Sequence, residues 1–216
     1  MTTSFEGLLG ATRVVPVITI KDAETAVPLA EALVAGGLQV LEITLRTEAG
    51  IESIRQIAGE VPGAVVGAGT VITPQQLLDA RNAGAQFIVS PGCTDALSRA
   101  AADTGGAFLP GAVTASEVLR LLELGIPLMK FFPAETSGGV PALKALGGPF
   151  PQVRFCPTGG IDLERAASYL ALPNVVCIGG SWMVPGDLIA AGDWDAIRAL
   201  AAEASAATRA AAPAAA

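Results

Sequence analysis

Eight short runs rich in β-forming residues alternate with alanine- and leucine-rich helical segments through 216 residues, at intervals of about 20 to 25 residues. A repeated βα unit predicts an α/β protein with a parallel sheet, and the count of eight favours closure into a (β/α)8 TIM barrel over an open sheet. No GxGxxG opens the first unit, which weakens a dinucleotide-binding alternative. The length suits a single domain, placed at 1–204, in which most loops must be tight.

The elements follow in order. The first ten residues predict a short N-terminal helix. Strands are expected over 13–19, 38–45, 64–69, 86–90, 107–110, 127–132, 153–157 and 174–178. Helices are expected between them over 22–35, 48–59, 74–83, 94–103, 114–124, 138–146 and 162–171, with a last one over 193–207. Thr73 precedes Pro74, an N-cap followed by proline at the first helical position. Thr114 and Glu117 form a Thr-x-x-Glu capping box. Gly36-Gly37, Gly84, Gly105-Gly106 and Gly125 each end a helix ahead of a strand. From 205 to 216 the chain is alanine-rich low complexity, expected to be a disordered tail.

Composition narrows the function. The uncharged stretches 61–78 and 166–186 are broken by Pro62 and Pro74, and by Pro173, Asn174, Gly179, Gly180 and Pro185, so they read as buried strands and loops rather than membrane spans. The first residues lack the basic and apolar regions of a signal peptide, and a soluble cytoplasmic protein is expected. A net charge of −7 argues against a nucleic-acid partner. It leaves room for a small anionic substrate, because helix N-termini and a few arginines act locally. Cys93, Cys156 and Cys177 form no CxxC and read as buried small hydrophobes. Histidine is absent, which removes the commonest general base and transition-metal ligand and disfavours zinc-dependent chemistry.

Lys130 is one of three lysines and lies in the apolar run Ile126-Pro127-Leu128-Met129-Lys130-Phe131-Phe132-Pro133. Such surroundings favour the neutral amine, a nucleophile able to form a Schiff base with a carbonyl. The plainer alternatives are a snorkelling lysine or one paired with a carboxylate. In the second strand Glu42, Thr44 and Arg46 share one face while Leu41, Ile43 and Leu45 share the other. The apolar set suits the helix layer, which places Glu42, Thr44 and Arg46 inside the barrel. A structural Glu42–Arg46 pair is the competing reading. The same period puts Lys130 and Phe132 on one face of strand six, so Lys130 and Glu42 are expected to project into one cavity. Thr158-Gly159-Gly160 and Gly179-Gly180-Ser181 are expected in the loops after strands seven and eight, where barrels of this kind bind phosphate.

These residues resemble the 2-keto-3-deoxy-6-phosphogluconate (KDPG) and 4-hydroxy-2-oxoglutarate (KHG) aldolase family. The likeness runs from about Val14 to Glu203. It is carried by Val14-Val15-Pro16-Val17, Leu41-Glu42-Ile43-Thr44-Leu45-Arg46-Thr47-Glu48, Val66-Gly67-Ala68-Gly69-Thr70-Val71, Ser90-Pro91-Gly92, Lys130-Phe131-Phe132-Pro133-Ala134-Glu135, Arg154-Phe155-Cys156-Pro157-Thr158-Gly159-Gly160-Ile161 and Cys177-Ile178-Gly179-Gly180-Ser181-Trp182. The resemblance implies a class I aldolase with no metal or other cofactor. It makes Lys130 the Schiff-base residue and Glu42 the general acid/base. Arg46 and Thr70 match the positions that hold the substrate carboxylate, with Pro91 and Phe132 lining the pyruvate pocket. Thr158 matches a position governing stereochemistry at C4, and Gly159, Gly160, Gly180 and Ser181 match the phosphate loops. It also implies a phosphorylated 2-keto acid substrate and a homotrimer. The rival readings are an aldolase for KHG or for the C4-epimeric galactonate-derived substrate, a phosphate-binding isomerase or epimerase barrel, and a catalytically silent barrel.

Overall fold

The computed structural model of the chain describes residues 4–10 and 12–210. Helix α1 (Phe5–Leu8) precedes eight strands: β1 (Val14–Ile18), β2 (Val40–Thr44), β3 (Val65–Gly69), β4 (Phe87–Val89), β5 (Ala107–Leu109), β6 (Leu128–Phe131), β7 (Arg154–Pro157) and β8 (Ile178–Gly180). Between successive strands run α2 (Ala26–Ala35), α3 (Ala49–Glu60), α4 (Pro74–Asn82), α5 (Asp95–Thr104), α6 (Ala115–Glu123), α7 (Gly139–Gly147) and α8 (Leu163–Leu170), and α9 (Gly186–Ala191) and α10 (Trp194–Ala210) follow β8. The cap signals act as expected. Thr73 Oγ1 accepts from Gln76 N–H, and Thr114 and Glu117 close a reciprocal capping box. Short α9 was not foreseen.

Every strand pairing is parallel, which the helical crossovers require. Six strands form one curled sheet in the order β5-β4-β3-β2-β1-β8, and β6 and β7 form a second. The expected unbroken ladder of eight is therefore met in part. Between β5 and β6 the link is a single bridge, Gly111 with Lys130, just beyond the end of β5. Pro110 has no N–H to donate, so this edge relies on Lys130 N–H to Pro110 O (2.8 Å) and Ala112 N–H to Lys130 O (2.9 Å). On the other side, Phe155 bonds Asn174 and Val176 before the chain crosses to β1, where Ile178 N–H meets Arg13 O. The Arg13 guanidinium bonds the carbonyls of Val175 and Val176 at this crossing, at 2.7 and 2.9 Å. The eighth strand thus lies further along the chain than 174–178, and Gly179 and Gly180 are strand residues rather than loop residues.

Alternate side chains build two apolar cores. Ile18, Leu41, Ile43, Val66, Ala68, Ile88, Met129, Phe131, Phe155 and Ile178 pack against the helices. Their strand neighbours Val15, Val40, Phe87, Val89, Ala107, Leu109 and Cys156 form a smaller cluster on the other face of the strands, with Cys177. Helix α1 adds Phe5 and Leu9 to that cluster, and the Phe5 ring meets Phe87 edge-on at 5.2 Å between centroids. The N-terminal segment thus fills the smaller core from the end where the strands begin.

Helix α10 continues through Ala210, six residues beyond the expected domain end at 204. Ser205 and Thr208 are buried, and Ser205 Oγ bonds Gly37 O at 3.4 Å. Any side chain on Gly36 would overlap Ala201, so glycine there lets α10 lie close to the end of α2. The rest of the expected tail, 211–216, lies outside the described residues. Among those described, no helix is long and apolar enough to cross a membrane.

Phe5→Ala should lower the unfolding free energy by about 3 kcal/mol, the usual cost of truncating a buried phenylalanine. Urea denaturation checks this; an unchanged midpoint would mean α1 does not seal the inner core.

Candidate active site

Lys130 and Glu42 emerge on adjacent faces of the inner core. Both are buried, at 4% and 3% exposure, and Lys130 Nζ lies 2.9 Å from Glu42 Oε1. Residues on β2 alternate as the sequence requires: Leu41 and Ile43 enter the helix-facing core, leaving Glu42 and Thr44 on the opposite face. On β6 the same alternation sets Lys130 against Met129 and Phe131. The strands deliver the two charges to one point from opposite sheets.

Burying two ions is costly unless each satisfies the other, and removing one partner of such a pair typically costs about 3–5 kcal/mol. Space for the carboxylate comes from β3. Gly69 pairs with Thr44, and a Cβ on Gly69 would collide with Oε1 of Glu42 and stand 2.6 Å from its Cγ. Above the amine, the Phe132 ring centroid lies 5.4 Å from Nζ, a cation–π contact. The other side of this ring backs onto the glycine loop, where a Cβ on Gly159 would stand 3.2 Å from it.

Arg46 does not pair with Glu42. It is exposed, and its Nε donates to Thr70 Oγ1 at 2.9 Å. Thr70 follows β3 with φ of 58°, a left-handed conformation costly for a β-branched residue, of a kind that collects at functional sites. The structural Glu42–Arg46 pair is therefore replaced by two pairs, Glu42–Lys130 and Arg46–Thr70. Pro91 is exposed in the loop after β4, and its carbonyl sits so close to Gly111 that no side chain fits there.

Thr158 ends β7. It is buried, and its Oγ1 has no hydrogen-bond partner among the described residues. Gly179 makes room for it: a Cβ there would stand 2.9 Å from Thr158 Cγ2. Gly159 and Gly160 have φ of 102° and 76°, which side-chain-bearing residues rarely adopt. Gly180 is buried under the Trp182 ring, and Ser181 is exposed just beyond.

The structure thus brings Lys130, Glu42, Phe132 and Gly159 into one chain of contacts, joins Arg46 to Thr70, and sets Thr158 against Gly179. Pro91 and Ser181 are exposed in the loops after β4 and β8. Sequence reasoning gave no role to Gly69 and placed Gly179 in a phosphate loop rather than beside Thr158, although glycine within a strand signals a close approach. It also missed the hydroxyl pair of Thr19 and Thr44, 2.8 Å apart. Cys156 and Cys177 are buried free thiols of the inner core, and Cys93 is half-buried. A hydrogen bond with Cys156 and then burial push the Cys177 thiol well above its ordinary range, which disfavours the reactive thiolate. Among the described residues no cluster of His, Cys, Asp and Glu could hold a metal. What remains is a buried amine in hydrogen-bond contact with a carboxylate that can exchange protons with it, the requirement for amine nucleophilic catalysis.

Gly69→Ala should force the Glu42 carboxylate away from Lys130 and destabilise the fold by about 1–3 kcal/mol, as overpacking does. A crystal structure of this variant with the ion pair intact, and with unchanged stability, would contradict that account.

Comparison with known proteins identifies the family. The family model for KDPG and KHG aldolase matches residues 6–200. The KHG/KDPG aldolase of Escherichia coli is 56% identical over 94% of this chain and 95% of its own. The KDPG aldolase of Legionella pneumophila, solved with pyruvate captured as a covalent carbinolamine intermediate, superposes with a TM-score of 0.90 at 47% identity, over 93% of this chain and 97% of its own. The Zymomonas mobilis enzyme, solved with 3-phosphoglycerate, gives a TM-score of 0.89 at 50% identity, over 96% and 97%. With the buried lysine–glutamate pair in a parallel α/β fold, these matches show that the chain belongs to the KDPG and KHG aldolase family.

Proposed function

We propose that the chain is a class I aldolase that cleaves KDPG to pyruvate and D-glyceraldehyde 3-phosphate through a Schiff base on Lys130. The observation that carries this reading is the buried Lys130–Glu42 pair at 2.9 Å. The Legionella relative, with its covalent pyruvate carbinolamine, supports the same chemistry.

The buried Lys130–Glu42 pair supports the following steps. Glu42 takes a proton from Lys130, and the free amine attacks C2 of the 2-keto acid to give a carbinolamine. Glu42 then donates the proton with which the C2 hydroxyl leaves as water, and the protonated imine remains. Removal of the C4 hydroxyl proton by Glu42 lets C3–C4 break, and the released electron pair is drawn into the imine to leave an enamine. The aldehyde departs. The enamine takes a proton at C3, and water hydrolyses the imine to pyruvate and restores Lys130. No metal is required, because the iminium nitrogen accepts the electrons.

Arg46 holds the substrate carboxylate with the Thr70 hydroxyl, since its fork suits that geometry. Phe132 and Pro91 line the pyruvate pocket, with Phe132 already over the amine. The unpartnered Thr158 hydroxyl serves the C4 hydroxyl and so its configuration. Backbone amides of Gly159 and Gly160 after β7 and of Gly180 at the end of β8, with the Ser181 hydroxyl, receive the phosphate. In this reading one domain carries the whole site, its eight strands close into a barrel through the two thin seams, and the enzyme works in the cytoplasm as a homotrimer. The Escherichia coli relative is named for both substrates, which supports KHG cleavage to pyruvate and glyoxylate as a second activity.

Lys130→Arg should abolish turnover, because a guanidinium forms no imine. Glu42→Gln should lower kcat by about two to four orders of magnitude. Steady-state cleavage assays with KDPG measure both. Substantial KDPG cleavage by Lys130→Arg would remove Lys130 as the Schiff-base residue.

A further inference from the structure

Behind the glycine loop after β7 stands a carboxylate that the reaction does not use. Glu135 opens the short turn Glu135–Ser137 that follows β6. Its backbone N–H donates to Gly159 O at 3.2 Å, and the neighbouring Ala134 N–H donates to Thr158 O at 2.8 Å. Its side-chain stem occupies the space beside Gly160: a Cβ on that glycine would stand 2.9 Å from Glu135 Cβ and 2.7 Å from Cγ. The carboxylate is itself anchored. It accepts the Tyr169 O–H and pairs with Arg165 Nε at 3.4 Å. Tyr169 and Arg165 are four residues apart and therefore share one face of α8. Arg165 also pairs with Asp162, whose carboxylate caps α8 by accepting Arg165 N–H at 2.9 Å. One side chain thus joins the loop after β6, the loop after β7 and the helix that follows it.

Tyr169 is buried at 1% exposure, and burial followed by the Glu135 carboxylate pushes its phenol well above the ordinary range. The shift favours the protonated phenol, which donates to Glu135. Lys130 and Glu42, by contrast, are placed by β6, β2 and Gly69, none of which depends on the Glu135 carboxylate. The brace bears directly on the glycine loop, whereas the Lys130–Glu42 pair lies beyond Gly159 and the Phe132 ring.

We propose that Glu135, held by Tyr169 and Arg165, is a positioning residue that fixes the Gly159–Gly160 amides and so sets the preference for phosphorylated over unphosphorylated 2-keto acids. This rests on the phosphate-loop reading above. Its basis is directional: backbone N–H donors reward an anion only when aimed at it, and small displacements of a bound group are expensive.

The test is kcat and KM for KDPG and for KHG in the parent, Glu135→Ala, Glu135→Gln and Tyr169→Phe, with inorganic phosphate as a competitor. Glu135→Ala should raise KM for KDPG about tenfold, with KHG turnover changed less than about twofold, as expected from loosening one or two charge-assisted hydrogen bonds. Glu135→Gln keeps the stem and an acceptor and should recover most of the loss. Tyr169→Phe keeps the packing, should shift the ratio in the same direction, and serves if Glu135→Ala does not fold. Equal losses on both substrates, or an unchanged ratio, would overturn the proposal while leaving the phosphate loops standing. A parent enzyme that does not favour KDPG and is not inhibited by phosphate would remove the phosphate loops, and the proposal with them.

Discussion

The fold is arranged around a demand that apolar interiors resist: two opposite charges must be buried side by side and remain reactive. Neither Lys130 nor Glu42 could stay there alone, because an unpaired ion in that setting loses its hydration with no return. Their 2.9 Å contact ties β6 to β2 across the gap between two separate sheets. Small residues nearby follow from the same demand. Gly69 is a glycine because the carboxylate occupies its side-chain space, and Gly159 because its φ of 102° disfavours other residues beside the ring over the amine.

The division of apolar residues makes the demand tolerable. The helix-facing core is large and contains the long aliphatic and aromatic side chains. The inner cluster is small and is filled from below by Phe5 and Leu9, so stability is concentrated away from the reacting pair. Catalytic polarity can then occupy the upper inner face without dismantling the core. Thr44, Thr158 and Ser90, all buried polar residues, border the same region of the strand ends.

Much of this was legible in the sequence because strands impose a period of two. The alternation of Glu42 and Thr44 against Leu41 and Ile43 assigned a face to each, and the pairing of Glu42 with Lys130 followed once both strands were recognised; Arg46, placed inside by the same period, lies past the end of β2 and is exposed. Glycines ahead of strands and the Thr114–Glu117 box placed helix ends for local reasons that the fold does not override. The seams were not legible, since they depend on which backbone groups remain free near Pro110 and Asn174. The eighth strand shifted because residues 174–176 serve β7 and 178–180 serve β1, a division invisible in hydrophobicity. Alanine-rich sequence from 205 onward suggested fraying, yet packing on Gly36 and Gly37 holds α10 together through Ala210. Glu135 passed unnoticed because its partners Tyr169 and Arg165 are distant in sequence and only the fold brings them to it.

The central claim is that Lys130, and neither of the other two lysines, becomes covalently joined to substrate. Incubation of the enzyme with pyruvate and borohydride, followed by peptide mass spectrometry, tests it directly. A single reduced adduct on the peptide bearing Lys130 is the expected result. A folded enzyme with no adduct, or with one confined to Lys21 or Lys144, would contradict the account and leave the buried pair a structural feature.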